Sequence, residues 1–433
     1  MHRYFDFSGN GTNCRQEMCA GFTTFLTMAY IIVVNPAILE AAGMPREASM
    51  TATILSAAFG TLVMGVYARR PFAIAPYMGE NAFIAFTVVK VMGYPWQTAL
   101  GAIFVAGVLF TVLTVGRVRK WMAEAIPLNL KYSFAVGIGL FLTFVGLNEI
   151  GIVALGGPGA PVCLGKMASS QVLLAIAGFV LMVWLVVKKV PGALMIGMLA
   201  VTGASLAGGI SPFPHRLVGL PGGISAVAGR LDIAGALNPK AWPVVLIVFV
   251  MAFVDTVGTL IGLSARAGFL DDNGNLPEIE KPMLADALSN LAAPLLGTTT
   301  TGAFIESAAG IEAGGRTGFT AVVVALLFLL SLFFSPLFTV IPSHAYGPVL
   351  VLIGCFMIRP VARLDFDDYT ELVPAFLTIT LISFTYNIGV GMTAGLLLWP
   401  LLKAITGRIR EVPRPLWGLA ALSLLFYLLY PYR

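Results

Sequence analysis

The sequence predicts an all-α membrane protein whose fourteen transmembrane segments fall into two inverted sets of seven. Three observations predict it. Hydrophobic residues make up 58% of the 433 positions and charged residues 11%, against roughly 25% charged in an ordinary soluble domain. Apolar runs near the ~20 residues needed to cross a bilayer recur along the whole chain. One long Gly- and Pro-rich stretch, at about 209–241, divides these runs seven from seven. Because seven is odd, the two sets enter the membrane from opposite sides. The net charge of +5 is not a nucleic-acid signature, since the basic residues lie in short loops.

In chain order, the first run covers 17–39. Nothing before it reads as a cleavable signal, so it counts as a retained helix. The runs 48–67, 72–90, 96–116, 128–150, 170–187 and 190–208 complete the first seven. The second seven are 241–264, 283–296, 300–313, 317–341, 346–360, 370–386 and 388–405. A further segment at about 415–431, opened by Pro415, either spans or lies at the interface. Loop charge tests the count. With the N-terminus inside, nineteen of the 26 Lys and Arg lie on the inner ends, among them Arg3, Arg15, Arg69, Arg70, Arg117, Arg119, Lys120, Arg316 and Lys403. Arg46, Lys90, Lys166, Arg216, Arg230 and Lys240 lie outside, an asymmetry that follows the positive-inside rule. No residue-level identity links the two halves, so the repeat is an inference from position.

The third and tenth segments are the unusual ones. Each is apolar but broken, and each carries an acid. Segment 72–90 opens with Pro71 and Pro76, which a helix interior does not tolerate. It reads as an extended piece from Phe72 to Ala75 and a half-helix from about Met78, with Glu80 and Asn81 in the first turn. Free N–H groups and the positive dipole end gather there. The tenth segment repeats the design, with Thr298 to Thr301 extended, Gly302 a flexible joint, and Glu306 early in a half-helix. Paired interrupted segments are the best sequence pointer to a secondary transporter's binding site, and an acid at membrane depth is a functional-site hypothesis. The structural alternative is a pair of kinked helices with Glu80 and Glu306 facing loops.

A third constellation lies inside the eighth segment, where Asp255, Gly258, Thr259 and Gly262 share one helical face. An acid among small residues suits a cavity, a close helix crossing, or a structural hydrogen bond to a neighbour. No Lys or Arg stands beside these acids in the sequence, so Asp255, Glu306 and Glu80 are candidate proton sites. One proton moving down 100 mV carries about 2.3 kcal/mol, enough for roughly a fortyfold substrate gradient. Sodium coupling stays an alternative. Several motifs fail: Gly297 to Gly302 lacks the Lys of a phosphate loop, Asp271 to Asn275 misplaces the Gly of a calcium loop, and Cys14, Cys19, Cys163 and Cys355 have no metal-ligand spacing. No cofactor or metal is expected. His215 and His344 fall in or beside outside loops, and the sequon at Asn10 falls inside.

At these residues the chain resembles a known family. Phe253-Val-Asp255-Thr-Val-Gly-Thr-Leu-Ile-Gly, Ile305-Glu306-Ser307-Ala-Ala-Gly-Ile and Gly314-Gly-Arg316-Thr-Gly-Phe-Thr-Ala-Val resemble the azaguanine-type branch of the nucleobase–ascorbate transporters. Gly79-Glu-Asn81-Ala-Phe83 and Leu147-Asn148 extend the match over nearly the whole chain. The resemblance implies a uracil-permease-like fold, with a core domain of segments 1–4 and 8–11 (residues 1–127 and 241–345) and a gate domain of segments 5–7 and 12–14 (128–240 and 346–433). It implies a purine such as hypoxanthine, guanine or adenine held between the third, eighth and tenth segments, with proton symport across a plasma membrane. Asn81, Asp255 and Glu306 match the family's critical residues. Phe83 as pocket wall, Thr27 as first-segment contact, and Ala303 and Phe304 at the joint are further candidates. Glu306 and Asn81 can clamp a purine's donors and acceptors, while Asp255, on a continuous helix, suits the proton. Glu80 departs from the pattern and either adds a donor preference, adds a proton site, or bonds to backbone. A homodimer through gate helices is also implied.

Two other function classes compete. An anion carrier or channel on the related sulfate-transporter fold would show large, unsaturating currents, but acids lining the site repel anions. An intramembrane enzyme lacks any His, Cys or metal constellation at membrane depth.

Overall fold

The computed structural model describes residues 2–116, 126–157, 160–213, 216, 218–219, 221–270 and 276–429. Arg117, Arg119, Lys120, His215 and residues 271–275 lie outside these. Nine helical stretches among the described residues, some of them joining two neighbouring elements, are long and apolar enough to cross a membrane, so the chain is a mostly helical, multi-pass membrane protein.

A short helix α1 (His2–Phe5) precedes α2 (Cys14–Met28), which Asn13 caps by accepting from the Gln16 N–H at 3.0 Å. The first apolar run is not one helix. It breaks at Ala29 and Tyr30 and resumes as α3 (Ile31–Ala41), with α4 (Arg46–Val66) following. The broken third run is strand β1 (Ile74–Pro76), helix α5 (Met78–Ala82) and a π-helical stretch, Phe83–Val91. That widened coil, closed for example by the Met92 N–H on the Thr87 carbonyl at 2.8 Å, was not foreseen. Then come α6 (Trp96–Val115), α7 (Leu128–Ile150), a hairpin of β2 (Val153–Leu155) and β3 (Val162–Leu164), α8 (Ser170–Val187), α9 (Ala193–Ala207) and the short α10 (Ile233–Ala236).

The second half runs α11 (Trp242–Ala267), α12 (Glu280–Leu296), β4 (Thr301–Ala303), α13 (Ser307–Glu312), α14 (Gly318–Ser331), α15 (Ser335–Thr339), α16 (Ser343–Met357), α17 (Tyr369–Phe384), α18 (Ile388–Ile405) and α19 (Arg414–Leu429). Gly297, at φ 91°, ends α12 and turns the chain into β4, a left-handed position that suits glycine. The eleventh run is interrupted by a tight turn at Leu332–Phe334. The described part of α19 covers 16 residues, ~24 Å.

Packing follows a recurring scheme. Helix α4 packs on α14, and α12 on α6; α2 also meets α14, and α11 meets α6. Helices α7 and α16 pack on each other, α17 lies along both α7 and α18, and α8 lies along both α9 and α16. Large apolar side chains such as Leu109, Val112, Trp184, Phe376 and Phe384 stay exposed, as a lipid-facing belt requires. Lys403 of α18 is 1% exposed yet paired, with Glu371 at 2.9 Å, Glu411 at 3.1 Å and Asp368 at 3.4 Å. It ties α17 to the turn beyond α18.

Candidate functional site

The two broken segments meet. Strand β1 pairs antiparallel with β4, with Ile74 opposite Ala303, Ala75 opposite Gly302 and Pro76 opposite Thr301, and all six residues are buried. Buried backbone polar groups must find partners, and three helices supply those that the ribbon lacks. Thr61 of α4 donates its hydroxyl to the Ile74 carbonyl at 3.0 Å and accepts from the Ile74 N–H at 2.8 Å. Ser307 of α13 accepts from the Ala73 N–H at 2.9 Å. From α12, Asp286 accepts from the Ala303 N–H at 3.1 Å and Asn290 from the Thr301 N–H at 3.0 Å. The half-strand and half-helix form expected from Pro71, Pro76 and the Thr run is therefore present, slightly displaced along each segment.

The Thr run divides its work. Thr298 accepts from Asn35 at 3.0 Å, Thr299 donates to the Asn81 side-chain carbonyl, and Thr301 bonds to Ser289 at 2.7 Å. Asn81, fully buried, keeps its Nδ2 without a partner, a free donor beside the ribbon. Tyr77, just before α5, stacks on Phe304, just after β4, with ring centroids 6.4 Å apart and planes 12° from parallel. Gly302 makes that possible: a Cβ there would lie 2.1 Å from the Tyr77 hydroxyl.

The acids separate into two places. Glu80 of α5 is completely buried and faces Asp255 of α11. Asp255 is partly exposed, and a Cβ added at Gly258 or Gly262 on the same face would meet nothing within 4 Å among the described residues. Its small residues therefore border open space rather than a close helix crossing. Glu306 stands at the N-cap position of α13, but its side chain makes no capping bond and turns to another partner. Its Oε1 accepts from the Tyr30 hydroxyl at 2.5 Å, and its main-chain carbonyl accepts from Thr27 at 3.4 Å. Phe83 is fully buried against the start of α18, beside Gly389, and Ala303 is buried within the ribbon. His344 is not a loop residue. It lies in the first turn of α16, buried, 2.9 Å from Ser205.

Sequence reasoning passed over Asp286, Ser289, Asn290 and Tyr30. The first three had a signal, a polar stripe at i, i+3 and i+4 on an apolar helix. Tyr30 had none; its role follows from the break between α2 and α3.

Comparison with known proteins gives the family and the fold. The Permease family model (xanthine/uracil permease) matches residues 15–395. A putative permease of Methanocaldococcus jannaschii is 46% identical over 432 residues, covering 100% of this chain and 98% of that one. The adenine permease AdeP of Escherichia coli is 39% identical over 95% of this chain and 92% of its own. The guanine/hypoxanthine permease PbuG of Bacillus subtilis is 38% identical over 99% of both. Among solved structures, the transmembrane domain of the cyanobacterial bicarbonate transporter BicA aligns with a TM-score of 0.66 at 14% identity, over 88% of this chain and 97% of that one. That likeness concerns the fold alone.

Proposed function

The chain belongs to the permease family, in its purine permease branch, and from that premise we propose that it is a proton-coupled symporter importing purine nucleobases across the plasma membrane. Permeases move solutes and are not enzymes. The observation that carries the finer reading is the buried ribbon. It sets the free Asn81 amide, the Tyr77–Phe304 stack and the Glu80–Asp255 pair around one joint.

A purine is flat and presents ring N–H donors beside carbonyl or ring-nitrogen acceptors. Asn81 donates to an acceptor through Nδ2. Glu306 accepts from ring N–H groups, sharing its carboxylate with Tyr30. Phe83, Thr27, Ala303 and Phe304 frame that clamp, Phe83 from behind. Asp255, open to the space beside Gly258, exchanges the proton. The substrate scope stays at purines: relatives carry both adenine and guanine/hypoxanthine in their names.

The architecture we propose is the fourteen-segment inverted repeat. Exchanging the two sets of seven turns the contact of α4 with α14 into that of α12 with α6. It likewise turns α2 with α14 into α11 with α6, and α17 with α18 into α8 with α9. The core of segments 1–4 and 8–11 then rocks against the gate of 5–7 and 12–14, with the N-terminus cytoplasmic and two copies associating through gate helices. An anion carrier on the same fold fits less well, since among the described residues the groups acting on Glu80 and Asp255 are acids and backbone, with no cation.

Uptake of labelled hypoxanthine, guanine and adenine, measured in cells lacking their own purine transport, tests the reading. Uptake of at least one purine, lost on adding a protonophore, is expected. No uptake of any purine overturns the substrate class; uptake indifferent to the protonophore overturns the coupling. Asp255→Asn and Glu306→Gln each remove a charged hydrogen-bonding group, and uptake is expected to fall by about ten- to a hundredfold or more.

A further inference from the structure

Three carboxyl groups converge on the start of α5, and their surroundings are unequal. Asp286 is answered on every side: it accepts from the Thr256 hydroxyl at 2.7 Å, the Ala303 N–H at 3.1 Å and the Asn290 amide at 3.3 Å. Accepting from three donors is what an ionised carboxylate does. Glu80 is its opposite. It is 0% exposed, and neither oxygen has a hydrogen-bond partner of normal geometry. The groups that face it are Asp255 from α11, Asp286 from α12 and, from its own segment, Tyr77, whose hydroxyl is likewise buried and unpartnered. No Lys or Arg is among them.

Two ionised carboxylates in contact, out of water and without a cation, are strongly disfavoured. One proton held between them removes the repulsion and gives Glu80 the hydrogen bond it lacks. Asp286 does not compete for that proton, because its donors already fix it as an acceptor. Asp255 alone of the three is partly exposed, on the face that borders open space.

We propose that Glu80 and Asp255 form a carboxyl–carboxylate pair sharing one proton, and that this is the proton the transport cycle moves. The step is a proton transfer only. A hydronium ion reaching the open space beside Gly258 protonates Asp255 and leaves a water, the proton passes along the hydrogen bond to Glu80, and release to water reverses the path. Glu80 is thus the inner half of the coupling site and Asp255 its outer half. The inference rests on the proton-coupled reading above and goes beyond it in giving the proton two owners.

Glu80→Gln tests it, because the amide keeps the size of the side chain and cannot carry the proton; an unchanged elution profile in detergent checks its folding. Infrared spectroscopy of the resting protein at neutral pH should show the C=O stretch of a protonated carboxyl in the wild type and lose it in Glu80→Gln. In vesicles, purine-driven proton uptake by Glu80→Gln should move its pH midpoint down by at least one unit, about tenfold in proton affinity. A carboxyl band that survives the substitution, or an unchanged midpoint and proton-to-purine ratio, overturns the pair. Wild-type uptake driven by a sodium gradient instead overturns the coupling of the preceding section. The two failures are distinguishable because the infrared band is read without transport.

Discussion

Glu17 shows how a buried acid is made tolerable by residues three hundred positions away. Its carboxylate accepts from the N–H groups of Arg316 at 2.9 Å, Thr317 at 3.2 Å and Thr320 at 3.2 Å, and from the hydroxyls of Thr317 at 2.9 Å and Thr320 at 2.5 Å. These include the orphan donors at the start of α14, so Glu17 caps that helix from α2, at the positive end of its dipole, where an acid is favoured. This explains the Arg316-Thr-Gly-Phe-Thr pattern, which by sequence was only a mark of resemblance. Glu17→Ala should therefore destabilise the protein by about 3 kcal/mol or more, read as a fall in the unfolding temperature in detergent. Loss no greater than that of an exposed acid such as Glu312 would refute the capping role. At this scale legibility depended on context. Glu80, Asn81, Asp255 and Glu306 stood out because each is polar in a broken or otherwise apolar run. Asp286 did not, because its only signal was a polar stripe with Ser289 and Asn290, and two of its partners, the Thr256 hydroxyl and the Ala303 N–H, lie on other segments.

Among the elements, the breaks were legible and the pairing was not. Pro71 and Pro76 cannot continue a helix, and a run of four Thr favours extended chain, so both interruptions could be placed. That β1 pairs with β4, in a register setting Ala75 opposite Gly302, depends on a fold that brings residues some two hundred apart together. The same limit hid the hairpin of β2 and β3 and the π-helical turn after α5, since neither has a strong local signature. The pairing makes Gly302 more than a flexible joint: it is where the Tyr77 ring crosses the ribbon. A methyl group there would overlap the Tyr77 hydroxyl at 2.1 Å and ring carbons at 2.2 and 2.3 Å, so Gly302→Ala should displace Tyr77 and cut uptake at least about tenfold, by the cost of overpacking a filled site. Removing the obstructing ring should restore part of that loss, so uptake by Gly302→Ala with Tyr77→Ala should exceed that of Gly302→Ala alone. If the double substitution is no better than Gly302→Ala, the close approach is not what requires glycine.

For the whole molecule the question is which helices move together. Composition and hydropathy reveal membrane class, but not which segments form a rigid unit, because lipid-facing and partner-facing apolar surfaces look alike in sequence. In the proposed division, α5 against α7 is one of the places where the core touches the gate. There a Cβ built on Gly79 lies 3.9 Å from the Ile138 Cβ, within the 3.5–4.5 Å range of disulfides. Gly178 and Val201 offer a similar 3.5 Å separation between α8 and α9, both in the gate. In a background with Cys14, Cys19, Cys163 and Cys355 replaced, Gly79→Cys with Ile138→Cys should transport when reduced, stop when oxidised, and recover with a reductant. Gly178→Cys with Val201→Cys should form its bridge and keep transporting. The second pair bridges two gate helices and does not cross the proposed sliding boundary. If oxidation leaves uptake by the first pair intact while its disulfide is shown to have formed, α5 and α7 do not separate during transport, and the core and gate must be divided elsewhere.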